Sequence, residues 1–282
     1  MKSLPQPLLN ILAEWQEWRL CSTPPSLENI KVLPEGLTNQ VYLLQLETGN
    51  YVLRIASVNS EQLDINREAE FNIQQTLAAE GLTAQVRYRA SDNRYWIRDF
   101  IAGNSLSILD LTIPNLMVMA NILKKVHQLP VIEGVSVLNI AEKAEHYWNM
   151  IAAAYGTKVL ALKDGLQQLS GTPSGPLSLC HLDPTPGNWI QTNHGELLLL
   201  DWEYAAIGHP LWDIAALFQE AELSQADEQK VLVSYGVNSA QDWCLAKAQM
   251  EYMSVLWYGA QRYWSEDKLL KKLQNIRARG NC

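Results

Sequence analysis

Residues 181–188 read HLDPTPGN, and residues 197–204 read LLLLDWEY. The first stretch carries an aspartate and an asparagine in a segment stiffened by Pro184 and Pro186, with Gly187 permitting a tight turn. The second is an apolar run that delivers Asp201 and Glu203. Between them NWIQTNHGELLLLD has the signature of a hairpin turning at Asn193-His194-Gly195, which would return Asp201 beside the 181–188 loop. Two carboxylates and an amide so placed suit phosphoryl transfer. That chemistry needs one carboxylate to orient and deprotonate a hydroxyl, and an amide with a second carboxylate to hold magnesium against nucleotide phosphates. An Asp and an Asn that only capped backbone groups would account for the loop, but not for its partner downstream. His181 is expected to pack and hydrogen-bond internally rather than to move a proton.

Upstream of this β segment the periodicity alternates. IKVL, QVYLLQL and YVLRI, within residues 30–55, read as three strands joined by turn-formers. Residues 61–80 read as a helix closed by Gly81, and VRYRASDNRYWIRDF (86–100) as two further strands. Before them, residues 7–20 place Leu8, Leu12, Trp15 and Trp18 on one helical face. Beyond IAGNSL the chain turns helical over 113–128, 139–169, 210–222, 224–236 and 239–278. The expectation is an α+β protein: an N-lobe over 1–101 with a small mixed β-sheet, and a larger, mainly helical C-lobe over 102–282.

Composition narrows the partners. A chain of 282 residues with formal net charge −8 opposes nucleic-acid backbones and anionic membranes. No run of residues is apolar and long enough to span a bilayer, and the N-terminus does not read as a signal peptide. Four scattered cysteines without a CxxC pair predict a reducing cytoplasmic setting, no disulfide framework and no zinc site. The five histidines lack metal-binding spacing, so any metal chemistry rests on carboxylates and amides and points to magnesium.

The N-lobe offers its own candidates. In LPEGLTNQVYLL, Gly36 sits in a strand-turn-strand setting where backbone amides can cover phosphates, and Thr38 and Asn39 can add donors. Arg54 lies in the otherwise apolar YVLRI and needs an anionic partner, which the helix INREAEF offers in Glu68. Glu70 competes, but lies about 200° away around the helix.

GLTNQVY, YVLRI, INREAE, LKKVHQLP, CHLDPTPGN and LLLLDWEYAAIGHPLWDIA resemble, in order, the choline/ethanolamine kinase and aminoglycoside phosphotransferase superfamily, which also includes thiamine kinase. The resemblance implies a protein-kinase-like bilobal fold and ATP with Mg2+ as cofactors. It implies Asp183 as catalytic base, Asn188 and Asp201 as magnesium ligands, and Arg54 with Glu68 as the phosphate-positioning pair. It further implies that the backbone at Asp99–Ile101 meets adenine and that Asp213 braces the catalytic loop. DWE in place of DFG, and the absence of an APE segment, argue against a protein kinase.

For the acceptor, ten tryptophans and eleven tyrosines against three phenylalanines suggest rings that meet a ligand. AQMEYMSVLWYGAQRYW places Met250, Met253, Trp257, Ala260 and Trp264 on one stripe, with Tyr252, Tyr258 and Tyr263 beside it. Trp202 and Tyr204 flank Glu203. Aromatic walls over an acidic floor suit an organic cation. The expected substrate is a small cationic alcohol of the choline, ethanolamine or thiamine type, bound by a monomer or weak homodimer. The competing readings are an aminoglycoside phosphotransferase and a nucleotide-binding pseudokinase.

Overall fold

A computed structural model describes residues 5–33, 39–56, 65–171, 173–237 and 239–279. The chain forms two compact units, Met1–Asn104 with Ile190–Glu203, and Ser105–Trp189 with Tyr204–Cys282. The hairpin segment, expected in the helical unit, therefore belongs with the sheet-bearing one. The reason is strand pairing: β8 (Trp189–Thr192) lies between β6 (Gly103–Ser105) and β9 (Leu197–Leu199), and Leu199 donates its N–H to the Leu82 carbonyl. A Cβ at Gly103 would collide with the Gln191 carbonyl oxygen, so only glycine lets these strands approach so closely.

The first unit is built on a five-stranded sheet of order β1-β2-β3-β5-β4, from Ile30–Val32, Gln40–Leu46, Gly49–Ile55, Val86–Arg89 and Tyr95–Asp99 in chain order. Every pairing is antiparallel, correcting the expectation of a mixed sheet. Helix α3 (Arg67–Ala79) carries the chain across, β4 takes the edge, and β5 folds back beside β3. The expected helix 61–80 is described only from residue 65, and Asn66 caps its start by accepting from the N–H groups of Glu68 and Ala69.

Alternation decides what each sheet face does. Leu53, Ile55, Tyr95 and Ile97 point to one side, where they join Leu8, Ile11, Leu12 and Trp18 in a single apolar cluster. The N-terminal segment thus covers this face of the sheet. It is two helices rather than one, α1 (Gln6–Leu12) and α2 (Trp15–Trp18), ended by Arg19 in the left-handed region at φ 56°. The intervening strand residues Val52, Arg54, Trp96 and Arg98 take the opposite side, in the registers Arg54–Trp96 and Val52–Arg98.

In the second unit α4 (Ile113–His127) is followed by two spans that were expected to be continuous helices and are not. Residues 139–169 split into α5 (Ile140–Ala152), α6 (Thr157–Leu160) and a 3-10 segment. Residues 239–278 split into α9 (Ala240–Ala260) and α10 (Glu266–Arg279), with Arg262 at φ 59° in the corner. Helix α7 (Leu211–Phe218) is buried throughout, and α8 spans Gln225–Tyr235. Strands β7 (Ser178–Cys180) and β10 (Ala206–Gly208) pair antiparallel, setting Cys180 opposite Ala206. No helix among the described residues is long and apolar enough to cross a membrane. Cys21 and Cys180 are free thiols.

Candidate active site

In the helical unit, the 181–188 loop is held by the polar groups that surround it. The β7–β10 pair leads into α7, and Asp213 in its first turn, fully buried, accepts from the N–H groups of His181 (2.8 Å) and Leu182 (2.7 Å). Leu182 occupies the left-handed region at φ 66°, which costs a non-glycine residue roughly 1–2 kcal/mol. The two charge-assisted bonds to Asp213 offset that cost and fix the strained turn. A third Asp213 contact is His127 Nε2 at 2.9 Å, and His127 Nδ1 is 2.6 Å from the Tyr235 hydroxyl. His127, unassigned in the sequence, ends α4 and ties α8 to the bracket.

Downstream of the bracket, His181 Nδ1 accepts from the Asp183 N–H at 3.2 Å, the packing and bonding role expected of a fully buried ring. The Asn188 amide nitrogen donates to the Asp183 carbonyl oxygen at 2.8 Å and to its Oδ2 at 3.0 Å. That orientation turns the Asn188 amide oxygen away from Asp183. The Trp189 indole, donating to the Pro184 carbonyl at 3.1 Å, pins the loop from below.

The sheet-bearing unit supplies an ionic cluster. Arg54 is bound to Glu70 through Nη1, and to Glu203 through Nη2 at 2.7 Å; Nη2 is also 3.1 Å from Asp201 Oδ1. The expected partner Glu68 is instead exposed and pairs with Arg89. The helix register explains the correction. Glu70, Ile73, Gln74 and Leu77 form the buried stripe of α3, and Glu68 lies off it. The spacing Glu70-x2-Ile73-x3-Leu77 was the signal in the sequence that could have found this.

Arg67 completes the cluster, donating through Nη1 to Glu70 (2.7 Å) and Glu203 (3.0 Å) and through Nη2 to Asn39 (3.3 Å). Asn39 in turn donates to Glu203 at 2.9 Å, so its amide is engaged within the cluster. Burial weakens a guanidinium, but Glu70, Asp201 and Glu203 more than reverse that for Arg54 and hold its pKa above the ordinary value. Glu203 was expected to form an acidic floor for a substrate cation. It is buried and neutralised by two arginines, which leaves no such floor there. Trp202, expected as an aromatic wall, is fully buried with its indole donating to the Leu199 carbonyl, so it belongs to the core.

Asp201 is the second non-glycine residue of the site in the left-handed region, at φ 66°. Its Oδ1 is buried and lies out of line for a hydrogen bond despite its closeness to Arg54. Burial, with Glu203 adding to it against Arg54, raises its pKa. A buried carboxylate oxygen without a hydrogen bond is a hard donor of the kind that magnesium takes. Glu70, Asp201 and Glu203 also approach one another closely, but the arginines already occupy both oxygens of Glu70 and Oε2 of Glu203.

At the end of β5, Asp99 is clamped by Arg87 at 2.7 and 2.8 Å, and half-buried Ile101 follows just beyond. Gly36 and Thr38 lie outside the described residues.

An aromatic cluster forms in the helical unit, built differently from the expected stripe. Because α9 ends at Ala260, Trp264 leaves the helix and returns over it, stacking on Tyr258 at 4.7 Å and 8°. Trp257 lies edge-on to Tyr204 at 6.4 Å, donating its indole N–H to the Tyr204 hydroxyl at 3.2 Å, and edge-on to Tyr258 at 5.1 Å. Tyr263 contacts both Trp257 and Tyr258. Trp257 and Trp264 remain partly exposed, whereas Met250, Met253 and Tyr252 are core residues. Burial, with Glu220 and Asp183 adding to it, raises the pKa of Tyr258, so the cluster lies within electrostatic reach of Asp183.

A small antiparallel sheet carrying an Arg–Glu pair, and a helical unit carrying a braced Asp–Asn loop, are parts of a kinase-like phosphotransferase fold. Two solved structures share the fold. One is the choline kinase LicA from Streptococcus pneumoniae, with a TM-score of 0.75 at 21% identity over 97% of this chain and 100% of that one. The other is LicA in complex with AMP, with a TM-score of 0.67 at 23% identity over 89% of this chain and 94% of that one. The protein LicA of Haemophilus influenzae is 26% identical over 211 residues, which span 71% of this chain and 60% of that protein's length. The profile of choline/ethanolamine kinases matches residues 30–241, and the chain belongs to that family.

Proposed function

We propose that the protein transfers the γ-phosphate of Mg-ATP to the hydroxyl of a small cationic alcohol, with choline or ethanolamine ahead of thiamine. In this reading Asp183 accepts the hydroxyl proton, and Asn188 and Asp201 hold magnesium, which supplies charge neutralisation for the phosphates when bound. Arg54, anchored by Glu70, positions the phosphates. Tyr204 and Trp257 offer ring faces to the cation, while Trp264, already stacked and 4.7 Å from the Lys268 ammonium, supports them.

The observation that carries the reading is the 181–188 loop. It is strained at Leu182, bracketed by Asp213, and has Asn188 fixed against Asp183. Family membership supports choline or ethanolamine as acceptor, and the partly exposed aromatic cluster supports a cation. ADP release measured across choline, ethanolamine, thiamine and an aminoglycoside panel tests it. Turnover of choline or ethanolamine, lost in Asp183→Ala with ATP binding retained, is expected. Turnover of aminoglycosides alone would move the protein to the antibiotic-modifying branch. Nucleotide binding without turnover of any alcohol would make it a pseudokinase.

A further inference from the structure

Arg98 carries a charge that forms no ion pair among the described residues. It stands on β5 two residues after Trp96, so it projects from the same sheet face as Arg54, whose guanidinium lies 4.8 Å from the Trp96 ring centroid. Its side chain is half-buried, and Nη1 donates to the Asp99 carbonyl oxygen at 3.2 Å. No carboxylate among the described residues pairs with it. The two carboxylates that act on it electrostatically are engaged elsewhere: Asp99 is clamped bidentately by Arg87, and Asp201 leans on Arg54. Burial, with Arg54 adding to it, pulls the Arg98 pKa down to about 10, so the group is still a cation at neutral pH.

A cation removed from water without a partner carries a desolvation cost that an anionic ligand would relieve. Charge counting on this face gives the same direction. Arg54 and Arg67 share Glu70 and Glu203, and Asp201 balances Arg98 only from beyond bonding distance. A divalent ion on Asp201 would cancel even that balance and leave the face net positive. What then fits is a polyanion, approached through a planar fork of N–H donors suited to phosphate oxygens.

We propose that Arg98 binds a phosphate of the nucleotide, as a second phosphate-contacting cation beside Arg54. The inference rests on the proposed Mg-ATP site. It adds that nucleotide affinity is carried from the β5 strand as well as from the Arg54–Glu70 pair, and that Arg98 reads the phosphates and not the base.

Binding of adenosine, AMP and ADP to the full-length protein separates these contributions, compared among wild type, Arg98→Gln and Arg98→Lys. The expected result for Arg98→Gln is ADP binding weakened by roughly 10- to 100-fold, with adenosine unchanged. Arg98→Lys should recover part of the loss, because the charge is kept and the fork is not. Melting temperatures show whether each variant is folded. If Arg98→Gln unfolds, the same contrast is read from Arg98→Lys alone, through weakened ADP and unchanged adenosine. Equal losses for adenosine and ADP would make Arg98 a base-pocket or structural residue and overturn the proposal, as would unchanged ADP binding. If the wild type binds no nucleotide, the proposed function falls first, which keeps the two failures distinct.

Discussion

Replacing Glu70 and Glu68 separately by glutamine asks which carboxylate of α3 holds Arg54. The Glu70 side chain is 1% exposed and accepts from Arg54 and Arg67, so it is shielded from solvent and salt. Breaking a buried ion pair from one side costs about 3–5 kcal/mol. In a protein of this size that lowers the melting temperature by roughly 6–20 °C. The Glu68 side chain is 59% exposed, and its bond to Arg89 is worth about 0–1 kcal/mol. Function should separate the pair as well. Without Glu70 the described carboxylates left beside Arg54 are Glu203 and Asp201, so Arg54 is drawn further onto Asp201 and competes with magnesium. Glu70→Gln should therefore raise the magnesium concentration needed for half-maximal rate, and Glu68→Gln should not. Scanning calorimetry and a magnesium titration of ADP release give both readouts. Equal melting temperatures for the two variants, or a larger loss in Glu68→Gln, would refute the assignment.

Asp213→Asn removes the charge from both bonds to the backbone of residues 181 and 182 and should cost roughly 3 kcal/mol; kcat should fall while KM for ATP changes little, and an unchanged kcat would remove the bracket from the mechanism. Trp257→Leu takes one ring from the cluster, worth about 0.5–2 kcal/mol, so KM for choline should rise ~2- to 30-fold with KM for ATP unaffected. His209 is largely buried, with Nδ1 accepting from the Leu211 N–H and Nε2 bonded to the Ser174 carbonyl, and burial lowers its pKa. The folded state then binds fewer protons than the unfolded one. Its contribution is complete above the unfolded value of about 6.5 and is lost as pH falls through the folded one. The gap in melting temperature between wild type and His209→Gln should narrow on acidification from pH ~7.5, and a gap that widens would contradict the sign.

Some features were legible because they are local. QVYLLQL and YVLRI alternate strictly enough to be strands, and β2 and β3 form where expected. HLDPTPGN carries its prolines, glycine and polar groups in sequence, and the loop closes on itself through Asn188 and Asp183. The Asp213 bracket was anticipated only through resemblance, since Asp213 lies 32 residues from His181 and reaches it through the β7–β10 pair.

Tertiary packing decided the rest. Glu68 and Glu70 are equivalent by composition, and only the burial of Ile73 and Leu77 against the sheet selects Glu70. Trp202 and Glu203 stand beside Asp201 in sequence, but the left-handed turn at Asp201 and the arrival of Arg54 and Arg67 consign one to the core and the other to an ionic cluster. Trp264 fits the helical stripe by spacing, yet a left-handed Arg262 breaks the helix and sets it on Tyr258. By itself the sequence determined which residues could do chemistry, because residue type and near spacing are local properties. Which of them share a charge, a ring contact or a buried face was settled by the fold, because those depend on chain segments as many as 164 residues apart.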